Sequence, residues 1–419
     1  MFHRISCGRR RGGHRIALLM ILLATTALGA GSLDQRLPRL MRLGDVPGLS
    51  LAMVRGDSIT WSTARGVRDA RTRGPVDGET VFEAASLSKT VFAYLTLRLV
   101  DRGVIDLDTP LVRYVRYDRL VGDPRHGRVT ARMCLSHTTG LPNWGTRFVA
   151  EPGTRFTYSG EGIRYLRKAL EAVTGRTLEQ LARREVFEPL GMSRSSYLWR
   201  PRFAGNRATG HDRQGRPQPR RRCPDGSAAA SLHTTATDYA RFLRACLAGE
   251  GLSDASHRQL LEPEVRADLG GPAAARSHLG WSLGWGTMDG PDGPLIWQWG
   301  DNGDTVALAV ADPSTDEGLI YFANSATALS IAHELMAEIT PARPWNLEAL
   351  GYERYDSPQR VARFEQLARR ALQRREWTRA GTILQDLLAM RPDHDWAAAR
   401  LHQLQRWLAE QKRRDDGRG

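Results

Sequence analysis

Strand-forming runs stand at the two ends of the stretch from Gly48 to Asn324, and helical patterns fill the space between them. At the front, Gly48–Gly66 holds two short apolar runs parted by Arg55-Gly56-Asp57, the pattern of a hairpin. At the back, Pro294–Trp299, Val306–Ala311 and Gly318–Asn324 read as three strands joined by Gly/Asp/Pro turns. Between them, Ser88–Arg102 lacks Gly and Pro, is rich in Leu, Val, Phe and Tyr, and meets Gly103, which predicts a buried helix with a glycine stop. Ile163–Val173 and Leu178–Val186 carry further helical patterns, and Thr235–Leu247 opens with a Thr/Asp capping pattern. A helix over Ala328–Ile339 closes the region. This order predicts an α+β fold in which the terminal strands share one antiparallel sheet, flanked by helices, with a mostly helical subdomain inserted.

The two ends of the chain have a different character. Arg9, Arg10, Arg11 and Arg15 precede an uncharged stretch, Ile16 to Ala30, that ends in small residues. A positive n-region, an apolar h-region of about 15 residues and a small-residue zone predict a signal peptide over 1–30. The stretch is short for a membrane-spanning helix, which needs about 20 apolar residues. Export to the periplasm, or another compartment outside the cytoplasm, follows, and membrane contact is expected only through this segment if it stays uncleaved. The main body of the fold is then 31–342. Residues 343–419 form a helical tail, with Trp377, Ala380, Leu384, Leu387, Leu388 and Pro392 resembling one tetratricopeptide-like hairpin. A single such hairpin cannot bury its own face, so the tail is expected to pack on the body or on a protein partner.

The formal net charge is +14, yet only three of the 60 basic residues are lysines: Lys89, Lys168 and Lys412. The arginines are spread along the chain, and its densest internal run, Arg220-Arg221-Arg222, lies in a Pro/Gly-rich loop. Without a recognisable module or a clustered basic stripe, nucleic acid is not a predicted partner. After loss of Cys7 with the signal peptide, Cys134, Cys223 and Cys246 remain, an odd number without metal-ligand spacing. Cys134, between Met133 and Leu135, reads as a buried structural thiol. No metal cluster, phosphate loop or nucleotide fingerprint is present in the sequence, so no cofactor is expected.

Three short motifs carry chemistry. In Ser86-Leu87-Ser88-Lys89 a serine and a lysine three apart enter the most apolar helix on one helical face. Desolvation there can leave the lysine neutral enough to take the serine proton, and the helix N-terminus favours negative charge developing on the serine. An exposed lysine after a helix cap would have the same spacing, but a cation opening so apolar a helix needs a partner. The second motif is Tyr158-Ser159-Gly160, whose tyrosine could pass a proton to a leaving group. An isolated tyrosine would otherwise read as a half-buried aromatic. The third is Gln298-Trp299-Gly300-Asp301-Asn302 at a strand end, where Gly300 permits close backbone approach and a flanking amide can complete an oxyanion hole with that of Ser86.

From Pro47 to about Ile339 the sequence resembles the class C β-lactamase and penicillin-binding-protein (D,D-peptidase) superfamily of serine hydrolases. The resemblance is carried by Val46-Pro47-Gly48-Leu49-Ser50, Phe82 through Lys89, and Gly103-Val104-Ile105-Asp106-Leu107-Asp108. Leu135-Ser136-His137-Thr138-Thr139-Gly140-Leu141, Pro189-Leu190-Gly191-Met192 and Gly284-Trp285-Gly286 extend it in the same order. It implies a β-lactamase/transpeptidase-like fold, acylation of Ser86, Lys89 as base, Tyr158 as second acid/base, and the amides of Ser86 and Asp301 as oxyanion hole. It also implies a structural role for the loop of His137, so His137 is not counted as catalytic; nor are His211 and His233, which lack paired carboxylate spacing. Two positions depart from the family pattern. Gly160 stands where the motif Tyr-x-Asn has its asparagine, and Gln298 where the third motif starts with Lys or His.

Losing those contacts, about 1–3 kcal/mol each if buried, weakens the expectation of efficient β-lactam turnover. It favours a small ester, or a peptide with a neutral terminus, over a β-lactam as the substrate. An exported hydrolase acting through a Ser86 acyl-enzyme is therefore expected. The competing class is an inactive envelope-binding protein that uses the cleft or the tail.

Overall fold

The computed structural model describes residues 33–270, 278–290, 292–339 and 350–416. The expected signal peptide lies outside the described residues. In chain order, α1 (residues 33–44) leads to β1 (Gly48–Arg55), β2 (Ser58–Gly66) and β3 (Phe82–Glu83). Next come α2 (Ser88–Asp101), α3 (Ala131–Leu135), α4 (Gly160–Thr174), α5 (Leu178–Ala182) and β4 (His233–Thr234). They are followed by α6 (Ala236–Ala248), α7 (Asp254–Leu261), β5 (Val265–Arg266), β6 (Leu279–Trp281) and β7 (Gly286–Asp289). The last strands are β8 (Pro294–Asp301), β9 (Val306–Asp312) and β10 (Glu317–Ala323), then the short α8 (Ala332–Met336). The tail is α9 (Pro358–Gln373), α10 (Trp377–Met390) and α11 (Asp395–Asp416).

One eight-stranded antiparallel sheet has the order β2-β1-β10-β9-β8-β7-β6-β5. The N-terminal hairpin therefore joins the C-terminal strands: Leu49 faces Ala323 and Arg55 faces Glu317 across β1 and β10. Both faces of its centre are covered, which is why β9 reads as an almost unbroken apolar run. Ala307, Ala309, Ile320 and Phe322 join the core built with α2 and α6, while Leu308, Val310, Leu319 and Tyr321 join Leu33, Leu37 and Leu40 of α1 on the other face. Alternation along each strand thus divides its residues between two cores.

Local signals place several boundaries. Thr235 caps α6 by accepting from Asp238 N at 3.1 Å, as its Thr/Asp pattern predicts. The helix expected over Leu178–Val186 is α5 running into a wider π turn, Arg183–Phe187. That over Ala328–Ile339 begins as a 3₁₀ turn before α8. Cys134 and Cys246 are buried and Cys223 is partly so; all three are free thiols.

The tail helices share a core of Phe364, Ala368, Ala380, Leu384, Leu387 and Leu404, which Leu43 of α1 enters. Arg42 grips the buried Asp386 with two bonds of 2.9 and 2.8 Å, and Arg360 donates to Leu43 O at 2.5 Å. The tail hairpin is thereby closed by its third helix and by α1 of the body, which is how a single hairpin buries its apolar face.

Candidate active site

The turn that carries Ser86 is tightly made. The chain leaves β3 and passes through Ala85 at φ +46°, a left-handed conformation costly for a residue with a Cβ. It then enters a 3₁₀ turn, Ala85–Leu87, that opens α2. Ser88 holds this turn from behind, donating to Ala85 O at 2.5 Å and accepting from Leu232 N at 3.0 Å. Leu232 O in turn accepts from Ala84 N at 2.8 Å.

One helical turn on, Lys89 lies with its Nζ 3.0 Å from Ser86 Oγ and 2.8 Å from Ala229 O. Its side chain is 2 % exposed, and among the described residues no carboxylate forms an ion pair with it. Burial alone lowers its pKa from 10.5 to about 7. The ammonium also stands over the Tyr158 ring, 4.8 Å from its centroid. Tyr158 is packed between His137, at 4.4 Å between ring centroids, and Trp299, at 5.1 Å. Burial pushes its phenol up to about 12, opposed by hydrogen bonding to Ser86 and to Gln298. Tyr158, distant in sequence from Ser86 and Lys89, thus joins them in one cluster.

Gln298 is fully buried and donates from Nε2 to Tyr158 Oη at 3.0 Å and to Trp299 O at 2.8 Å. It puts a neutral amide against the phenol oxygen, so that Lys89, over the ring, is the cation beside Tyr158 among the described residues. Gly300 is required by packing more than by substrate approach. A Cβ there would lie 2.6 Å from Ala84 O and 3.0 Å from Ser86 N. The strand end carrying Asp301 is thereby brought alongside the Ser86 amide. Beyond its pairing with β7, which ends at Trp297, the strand β8 runs on through Gln298–Asp301.

Gly160 is the first residue of α4, after the cap Ser159. Its amide donates to Asn143 Oδ1 at 3.1 Å, and a Cβ would lie 2.6 Å from Asn143 O and 2.9 Å from Asn143 Oδ1. The loop after His137–Leu141 has closed over position 160, so a carboxamide stands beside it, on Asn143. No local sequence signal marked Asn143. The same is true of Tyr352, ahead of the first tail helix, whose hydroxyl accepts from Trp299 Nε1 at 3.1 Å and donates to Asp301 Oδ2 at 3.0 Å. His137 is buried and held neutral by burial and by Lys89, with Nδ1 accepting from Ser159 N at 3.1 Å. It positions the Tyr158 segment, consistent with a structural loop. His211 likewise serves the backbone, receiving from Ala70 N at 3.1 Å.

A serine beside a buried lysine of lowered pKa and a protonated tyrosine can be deprotonated and can attack an electrophilic carbonyl. Comparison with known proteins gives the same frame. The family model "Beta-lactamase" matches residues 33–339. Penicillin-binding protein 4 of Amycolatopsis lactamdurans is 28% identical over 331 residues, 70% of this chain and 85% of that protein. Unguisins hydrolase ungD of Aspergillus violaceofuscus is 25% identical over 261 residues, 53% of this chain and 46% of that protein. The chain thus spans about half the length of that relative. A class C beta-lactamase structure superposes with a TM-score of 0.65 at 20% identity, covering 76% of this chain and 97% of that one. With this fold and this match over most of its length, the chain belongs to the beta-lactamase family and carries its serine-hydrolase fold.

Proposed function

We propose that the protein is an exported serine hydrolase that cleaves an ester or amide through an acyl-enzyme on Ser86. The observation that carries this reading is the buried Lys89 amine, without a carboxylate partner among the described residues, 3.0 Å from Ser86 Oγ. A lysine whose pKa is lowered to about 7 is half neutral at neutral pH. It keeps one N–H on Ala229 O and turns its lone pair to the serine. As Oγ attacks the carbonyl carbon, Lys89 takes the hydroxyl proton, and the amides of Ser86 and Asp301 receive the oxyanion. Tyr158, protonated up to about pH 12, gives its proton to the departing oxygen or nitrogen as the carbonyl–leaving-group bond breaks. Lys89 reprotonates it. Water then attacks the acyl carbon by the reverse proton route and frees Ser86.

The neutral Gln298, turned to Tyr158, offers no cation for a substrate carboxylate at that position. This favours small esters, or peptides with a neutral terminus, over β-lactams. Export rests on Arg9–Arg15 followed by the apolar stretch to Ala30.

The pH dependence tests the proton assignment. Lys89 must be neutral to act as base, so kcat/KM for a 4-nitrophenyl ester should rise through an apparent pKa of about 7 and then stay level into the alkaline range. Loss of activity as the pH is raised through the same region would remove Lys89 from the role of base.

A further inference from the structure

Beside the Ser86 cluster lies a cavity of about 440 Å³ that the hydrolysis scheme does not use. It opens against Asp301, Asn302 and Ala230, the chain neighbours of the glycine that packs on the Ser86 turn and of the carbonyl that holds Lys89. Its walls carry two tryptophans, Trp144 and Trp199, and four arginines, Arg164, Arg220, Arg221 and Arg222. Trp144 is 59 % exposed, an unusual state for an indole at the edge of a cleft.

The arginines are not equivalent. Arg221 is neutralised by Asp304 at 2.6 Å and Glu83 at 3.5 Å. Arg220 stacks on Trp199, 4.3 Å from the ring centroid. Among the described residues, Arg164, Arg220 and Arg222 form no ion pair with a carboxylate. The two acids on the lining already have donors: Glu83 takes Arg221 and Asn302, and Asp301 takes Gly303 N and Tyr352. His233 also lines the cavity, 8 % exposed, with its ring packed against Trp199 and Phe203, so it backs the indole on which Arg220 lies.

We propose that this cavity binds an anionic group on the acyl side of the substrate, a carboxylate carried a few bonds from the scissile carbonyl, against Arg220, Arg222 and Arg164. The Arg220 guanidinium is braced on Trp199, and its remaining N–H groups can meet a carboxylate with charge-assisted bonds. Trp144 covers the intervening carbon chain. This rests on the hydrolase reading of Ser86 but concerns which esters or amides it takes. It is also compatible with the neutral Gln298, which is not among the residues that line this cavity.

Two esters of matched length test it on the full chain: mono-4-nitrophenyl glutarate, with a free carboxylate, and methyl 4-nitrophenyl glutarate, where that charge is masked. The expected ratio of kcat/KM, anionic over neutral, is about 10 or more, because charge-assisted bonds are lost from the masked ester. In Arg220→Gln/Arg222→Gln the ratio should collapse towards about 1. Equal kcat/KM for the two esters in the unmodified protein, or a ratio that survives the double substitution, overturns the proposal.

Calorimetric titration of the same pair into Ser86→Ala separates this from turnover. Tighter binding of the anionic ester that the arginine substitutions remove supports the site even if no ester is hydrolysed, and would then count against the hydrolase reading alone. Equal binding of both overturns the site whatever the turnover.

Discussion

Replacing Lys89 with methionine is expected to abolish turnover and to raise the melting temperature. The two effects have one cause. A lysine 2 % exposed, hydrogen-bonded to Ser86 Oγ and Ala229 O but without a carboxylate partner among the described residues, is kept at the expense of stability. Its folded pKa, about 7, lies below the 10.5 of the unfolded chain. Between those values the unfolded chain binds more protons, so its contribution to stability is full above the unfolded pKa and is lost as the pH falls through about 7. The cost near and below neutral pH is on the order of 4 kcal/mol. Methionine fills the same volume without charge, but leaves Ala229 O short of a donor, which returns about 1–3 kcal/mol. A net rise of a few degrees follows at about pH 7; near pH 10, where the lysine is almost costless, the lost hydrogen bond leaves the variant no more stable than the parent or slightly less so. Thermal unfolding at both pH values, with ester hydrolysis alongside, checks this. A variant less stable than the parent at neutral pH would mean that Lys89 is structural.

Gly300→Ala is expected to lower kcat by about 10²–10³ with a smaller change in KM. The added Cβ would lie 2.6 Å from Ala84 O, 3.0 Å from Ala85 Cβ and 3.0 Å from Ser86 N. None of these can yield cheaply. Ala84 is tied to Leu232, and Ala85 already sits at φ +46°. The strand end must therefore move, and with it the Asp301 amide proposed to share the oxyanion with Ser86. A stability loss of about 1–3 kcal/mol accompanies this overpacking. Gly205→Ala is the control, since a Cβ there meets nothing within 4 Å; steady-state kinetics and melting curves of the pair show whether the loss belongs to position 300.

The parts legible in the sequence were those with local or periodic causes. Strands β8 to β10 showed because both their faces are buried, and the hairpin β1–β2 because a glycine turn separates two apolar runs. Strands β5 to β7 did not show: they are two to four residues long, too short for alternation to register. The helix α1 has Leu33, Leu37, Leu40 and Leu43 on one face, but its stripe divides between two cores and lies just beyond the apolar N-terminal stretch. Ser86 and Lys89 were readable because their spacing alone puts them on one helical face. What the spacing could not carry were contacts across the sequence. Gln298 meets Tyr158, Asn143 fills the place beside Gly160, and Tyr352 bonds Asp301. At Gly160 the sequence showed only a missing asparagine, whereas the fold shows a neighbouring loop that has closed on the position.

The central claim is that Ser86 is an activated nucleophile, and covalent trapping tests it most directly. Residues 31–419 would be incubated with a fluorophosphonate at neutral pH and weighed intact. Attack by Ser86 Oγ forms an O–P bond and releases fluoride, so the expected result is one adduct per chain, located on the peptide containing Ser86 and missing from a folded Ser86→Ala variant. A folded protein that takes up no adduct, or a Ser86→Ala variant that is labelled equally, would contradict the account.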